Sequence, residues 1–267
     1  MSVFSGKNRH RLVLGLLLAV GAAVFCAGIR WGLPSRDADP YLFGRRQPWT
    51  GAEILRLAGD RTHDRDVGAD VDRDPLQDRS HAVVLNGTDA RRAAIVRRYR
   101  LYTYQPDEMI TMMALASMRP SEGDLDPRLY QYGGFWIYGV GALLKAASLA
   151  GCIRFQPAAA WYLDHPEEFG RFYIVARLYV VAWGLLGVCA VFLLARRLAG
   201  GPAGSISNLV PAAAAALCFI CMPVVINMAH EAKPHLPGAV LMLLAVLAAA
   251  RYVENGSRPW WATACAL

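Results

Sequence analysis

The chain reads as an all-α, polytopic integral membrane protein, and three observations carry that reading. Of its 267 residues, 55% are hydrophobic and only 18% charged, a balance that soluble domains of this length rarely show. Charge is also segregated: most acidic residues lie between Asp37 and Glu168, while the long apolar runs hold almost none, the sorting expected where lipid and water compete for side chains. Finally, runs close to the ~20 residues that cross a hydrocarbon core recur along the chain with arginines at their ends. The formal net charge of +7 does not point to nucleic acid, because the arginines alternate with aspartates or flank apolar runs and so act as topology signals. Of the six cysteines, Cys26, Cys189, Cys218 and Cys221 sit inside apolar runs and behave as small hydrophobes. The Cys218-x-x-Cys221 pair has no second pair at zinc-like spacing.

Residues 1–30 are expected to hold a cytoplasmic N-terminus and a first transmembrane helix. Lys7, Arg9, His10 and Arg11 precede the apolar run Leu12 to Ile29, which orients that helix with its start inside. The run is longer than the apolar core of a cleaved signal peptide, and further spans follow it. Residues 31–132 read as a large extracytoplasmic loop, since no long apolar run interrupts them and Asp60 to Arg79 alternates acid and base too densely to bury. Asp70, Asp72 and Asp74 lack the glycine and closing glutamate of an EF-hand and read as a solvated charge run. Asn86-Gly87-Thr88 fits a glycosylation acceptor. Thr88 to Tyr104 carries arginines around Ala93, Ala94, Ile95 and Val96, the pattern of a helix lying against lipid headgroups.

Residues 133–170 are expected to form a re-entrant or interfacial helical segment. The run Gly133 to Gly151 is apolar but carries Lys145 near its middle, a costly charge for a full span. If it crossed, the later run ending in Arg196-Arg197 would have to point outward. Residues 171–267 should then supply spans two to four, Phe172 to Leu194, Leu209 to Met228 and Leu236 to Ala250. Trp260 to Leu267 reads as the opening of a fifth, so the sequence is expected to be a piece of a longer protein.

Chemistry gathers at two places. Tyr104-Gln105-Pro106-Asp107-Glu108-Met109 opens an apolar helical stretch, Ile110 to Met118. Pro106 suits a first helical turn and carboxylates there are favoured by the helix dipole, so Asp107 and Glu108 read either as helix-start acids or as acids for general base work. The second place is Asn227-Met228-Ala229-His230-Glu231-Ala232-Lys233-Pro234-His235, at the outer end of the third span and on the side of Asp107 by this topology. It reads either as a polar cap or as a functional cluster, because ordering ionisable groups at a membrane boundary is costly. His230, Glu231 and His235 are candidate ligands for a divalent ion, although Pro234 interrupts a simple His-Glu-His helical face.

Between these places run Gly123-Asp124-Leu125-Asp126-Pro127-Arg128, the aromatic stretch Tyr130 to Tyr138, and Arg177 near the start of the second span. This order resembles the N-terminal part of the GT-C superfamily of membrane glycosyltransferases, nearest in pattern to the protein O-mannosyltransferases and the lipid A aminoarabinose transferases. The resemblance covers Leu12 to about Val253, roughly the first third to half of such an enzyme, and the Asp-Glu pair is its most specific element. It implies a GT-C-type helical bundle in the cell membrane. The implied reaction moves a sugar from a polyprenyl-phosphate donor to a protein, lipid or glycan acceptor on the extracytoplasmic face. Asp107 would be the catalytic base or acceptor-orienting acid, with Glu108 supporting it and a divalent metal ion as a possible cofactor, for which Asp107 is a further candidate ligand. Arg128, Arg171, Arg177 and Lys233 are candidate cations for the donor phosphate, the arginines equally readable as headgroup-level anchors. Where the family places a second acid before the fourth span, this chain has His235, with Glu231 four residues earlier. Competing readings are a transporter subunit, whose polar or broken helices should lie near the midplane, and a non-catalytic membrane scaffold.

Overall fold

The computed structural model describes residues 6–58, 89–200 and 205–266. The charge run Asp60 to Arg79, with Asp70, Asp72 and Asp74, and the Asn86-Gly87-Thr88 tripeptide lie outside the described residues. Among the described residues the fold is all-helical, with a single isolated β-bridge joining Arg119 and Asp124. The chain divides into two compact units, one of residues 1–31, 110–147 and 173–267, the other of residues 32–109 and 148–172.

The first unit is the membrane-like one. Three of its helices are long and apolar enough to cross a bilayer: α1 (Gly6–Cys26), α8 (Pro166–Leu198, which starts in the other unit) and α11 (His235–Asn255). At ~1.5 Å per residue, α1 and α11 are each ~31 Å long and match the hydrocarbon thickness. α1 has two faces: Leu17 and Phe25 are buried, whereas Leu12 and Leu16 are 58% and 60% exposed. Such an outward apolar stripe suits a lipid neighbour rather than water. The inward faces meet at small residues. A Cβ placed on Gly184 of α8 would stand 3.1 Å from the Phe25 ring, and one on Gly187 would stand 2.8 Å from Phe219 and 2.9 Å from Val240. Close approach at glycine is how helices pack when lipid removes the hydrophobic drive between them.

The apolar run Leu209 to Met228, expected as one span, is broken. α9 (Ile206–Cys221) and α10 (Pro223–Ala229) meet at a 59° bend. The cause is Pro223, which lacks an amide hydrogen and disfavours helical geometry at the residue before it. Met222 is accordingly extended, at φ −68 and ψ 119. Counting the bent pair as one span, the described residues hold four candidates. The run after Gly133 forms α6 (Gly134–Leu149), only ~24 Å long and short of a full crossing. It buries Trp136, Ile137, Val140 and Leu144 and leaves Lys145 exposed. Trp136 donates to Thr111 Oγ1 at 3.1 Å and stacks on Tyr179. α12 (Arg258–Ala266) follows Gly256, which is left-handed at φ +59, and packs back along α11.

The second unit takes in much of residues 31–132. Its described part folds into short helices: α2 (Asp39–Phe43), α3 (Gly51–Ala58), α4 (Asp89–Leu101), the start of α5 (Asp107–Ser117) and α7 (Ala159–Asp164). Phe43, Ile54, Ala93, Val96, Leu101 and Leu163 form its core. α3 is started by a capping box: the Thr50 amide donates to Glu53 Oε2 at 2.8 Å, and the Glu53 amide donates back to Thr50 Oγ1 at 3.3 Å. The Thr50 amide hydrogen bond, followed by that of the Thr50 hydroxyl, holds the Glu53 carboxyl below its ordinary pKa. Arg100, grouped by sequence with the headgroup arginines, is fully buried instead. It pairs with Asp39 at 2.7 Å and donates to the Trp49 and Leu163 carbonyls. A buried guanidinium needs such acceptors, and α2, α7 and the segment before α3 supply three of them to this α4 residue, its Nε being left without a hydrogen-bond partner.

Candidate functional site

Asp107 and Glu108 are adjacent in sequence but differ in environment. Both lie in the first turn of α5, behind Pro106, where the Glu108 and Met109 amides donate to the Gln105 and Pro106 carbonyls at 3.1 Å. One residue is ~100° from the next around a helix, so neighbours face different surroundings. Asp107 is exposed, whereas Glu108 is fully buried. The Thr103 hydroxyl closes a short hydrogen bond to Glu108 Oε2 and also lies 2.8 Å from the Gln105 carbonyl. The preceding turn is pinned in its own unit: the Tyr104 amide donates to the Gly32 carbonyl at 3.0 Å, and the Tyr104 ring lies where a Cβ on Gly32 would project. Thr103 was missed by sequence reasoning because its partner lies five residues away across a turn whose shape no periodicity announces.

The second cluster sits in the turn between α10 and α11, in the other unit. Glu231 is 4% exposed and Lys233 8%, and their side chains pair at 3.2 Å. Asn227, one helical turn earlier, donates to the other Glu231 oxygen at 3.0 Å. That i, i+4 spacing was legible in the sequence. His230 caps α10, and its Nε2 is enclosed without a hydrogen-bond partner. His235 opens α11 and is exposed. Among the described residues no three His, Cys, Asp or Glu side chains are placed to hold a metal ion. Within this turn the Glu231 carboxylate is engaged by an amide and an ammonium.

Each of the three candidate arginines has partners of its own. Arg177 is 2% exposed and donates to the Ile29 and Trp31 carbonyls at 2.7 and 2.9 Å. These acceptors follow the end of α1, where carbonyls lack helical partners, so Arg177 ties α8 to the exit of α1. Arg171 is exposed and pairs with Glu168 at 3.2 Å. Arg128 is exposed, left-handed at φ +52, and pairs with Asp124 at 3.2 Å. Its amide donates to Asp126 Oδ1 at 2.8 Å, and Tyr130 donates its hydroxyl to the same carboxylate. The Arg128 amide first, and then the Tyr130 hydroxyl, hold the Asp126 carboxyl below the ordinary carboxylate range. The same hydrogen bond pushes the Tyr130 phenol up.

No protein-family model, no curated protein and no solved structure matches the chain.

Proposed function

We propose that the protein is a membrane glycosyltransferase of the GT-C type, moving a sugar from a polyprenyl-phosphate donor to an extracytoplasmic acceptor, with its N-terminus in the cytoplasm of a cell membrane. The observation that carries this reading is the division of the acid pair: Asp107 is presented at an exposed helix start while Glu108 is sealed behind it and held by Thr103. Base catalysis needs an accessible carboxylate of fixed position, and an immobile neighbour fixes it. In the reaction, Asp107 takes the proton of the acceptor hydroxyl as its oxygen bonds to the anomeric carbon. The bond from that carbon to the phosphate oxygen breaks, and cationic side chains offset the charge left on the phosphate. Lys233 and Arg128 are among the candidates for that role, and His235 stands where the resemblance calls for a second acid, with Glu231 four residues earlier. The test is transfer of radiolabelled sugar from polyprenyl-phosphate sugars in membranes. Asp107→Asn should lower the rate ~10²- to 10⁴-fold, the contribution typical of a general base. Equal transfer by wild type and variant removes Asp107 from the mechanism.

A second reading, a transporter subunit, draws on the 59° break between α9 and α10 and the buried Glu231–Lys233 pair just beyond it, since broken helices and internal charges mark transport sites. It predicts substrate uptake into proteoliposomes that Glu231→Gln abolishes and Asp107→Asn leaves intact.

A further inference from the structure

We infer that the outer face of α4 is a binding surface for anionic phospholipid headgroups, independently of the reaction the protein performs. α4 carries five arginines against one aspartate in its 13 residues. Its inner face is settled: Ala93, Val96 and Arg100 are fully buried against neighbouring elements of the second unit, and Arg100 is matched there by Asp39. The opposite stripe consists of Arg91, Ala94, Ile95 and Arg98. Arg91 and Arg98, seven residues apart, lie within ~20° of each other around the axis, and both are exposed. Between them Ala94 is exposed and Ile95 half-buried, so an apolar step lies between two guanidinium groups. Arg92 and Arg97 flank the stripe, Arg92 beside Asp89 at 4.0 Å.

A purely solvated face would not need the aromatic rim that accompanies this stripe. Tyr99 is 44% exposed, Tyr104, just past the helix end, is 63% exposed, and Tyr41 on α2, which packs on α4, is 90% exposed. Tyrosines at such density are typical of the membrane–water boundary, where the ring meets acyl chains and the hydroxyl meets headgroups. The basic groups are all arginine rather than lysine, and a guanidinium grips a phosphate with two parallel donors. The chain passes between this unit and the apolar one at 31–32, 109–110, 147–148 and 172–173, so α4 is covalently tethered to a membrane-like unit. Positive charge, an apolar step and aromatic side chains together complement an anionic lipid surface better than water or a neutral bilayer.

The test uses the full chain in lipid nanodiscs of phosphatidylcholine alone or of phosphatidylcholine mixed with phosphatidylglycerol, reading amide hydrogen exchange across 89–101. Exchange should slow in the anionic discs by roughly fivefold for each arginine engaged, the difference should fall as salt is raised, and Arg91→Gln with Arg98→Gln should remove most of it. Both changes are at exposed positions, and unaltered exchange across 51–58 verifies that the unit remains folded. Equal exchange in the two lipids overturns the inference, as does a difference that the double variant retains. Inorganic phosphate reproducing the protection in neutral discs would also overturn it, by assigning the arginines to a soluble anion.

Discussion

Replacing Arg100 by Met would remove a buried cation on which separate segments of the second unit converge. The guanidinium is fully buried, 2.7 Å from Asp39 Oδ2, 3.1 Å from the Leu163 carbonyl and 3.2 Å from the Trp49 carbonyl. Methionine fills much of the volume but donates nothing, so Asp39, itself 8% exposed, is left as a buried acid with no cation. Breaking a buried pair from one side costs ~3–5 kcal/mol. The two stranded carbonyls add to that, though not additively, because each can turn toward water. A loss of ~4 kcal/mol lowers the folded-to-unfolded ratio roughly a thousandfold. Denaturant unfolding in detergent, followed by fluorescence of Trp49 and Trp161 in the same unit, measures it. The pair is not required for stability as such: Arg100→Met with Asp39→Leu should recover most of the loss, since an apolar replacement of both partners is often neutral or better. A single variant losing under ~1 kcal/mol, or a double variant as unstable as the single, would refute the view that an uncompensated buried charge governs this site.

Three further outcomes are expected. Gly51→Ala places a Cβ 2.0 Å from the Ala160 carbonyl oxygen and must push α3 from α7, weakening the hydrogen bond from the Gly51 amide to Asp164 at 2.8 Å. Destabilisation of ~1–3 kcal/mol follows from such overpacking, read by the same unfolding assay. In the 124–130 turn, the depressed Asp126 pKa means its contribution is complete above the ordinary carboxylate value and lost as pH falls through the lowered one. The raised Tyr130 pKa means the opposite: its contribution is complete below the ordinary phenol value and lost as pH rises through the raised one. Carbon NMR titration of Asp126 and ultraviolet difference titration of Tyr130 against Tyr130→Phe measure the two, and midpoints at ordinary values would contradict the hydrogen bond. On the proposed function, Asp107→Asn should slow sugar transfer ~10²- to 10⁴-fold while leaving thermal unfolding little changed, because the side chain is exposed; a variant that fails to fold would show instead that the acid is structural.

Much of the fold was legible because the solvent dictates it. Long apolar runs with basic ends require helices wherever water is absent, so α1, α8 and α11 follow from composition and length alone. In the candidate site, Pro106 and the two acids announced a helix start, and α5 begins there.

Tertiary structure decided which partners those residues meet. Hydropathy counts Met222 and Pro223 as continuous with their apolar neighbours, yet the missing amide of one proline breaks the helix and shapes the approach to Glu231. Arg100 is one of five arginines in a polar segment, and only the convergence of α2, α4 and α7 makes it a buried ion-pair partner. Asp107 and Glu108 are chemically alike in sequence, and a rotation of ~100° along one helix leaves the first in solvent and the second in the core. Local periodicity reports the solvent each segment meets; long-range contacts, which pair residues far apart in the chain, determine which polar groups are sealed and which are presented.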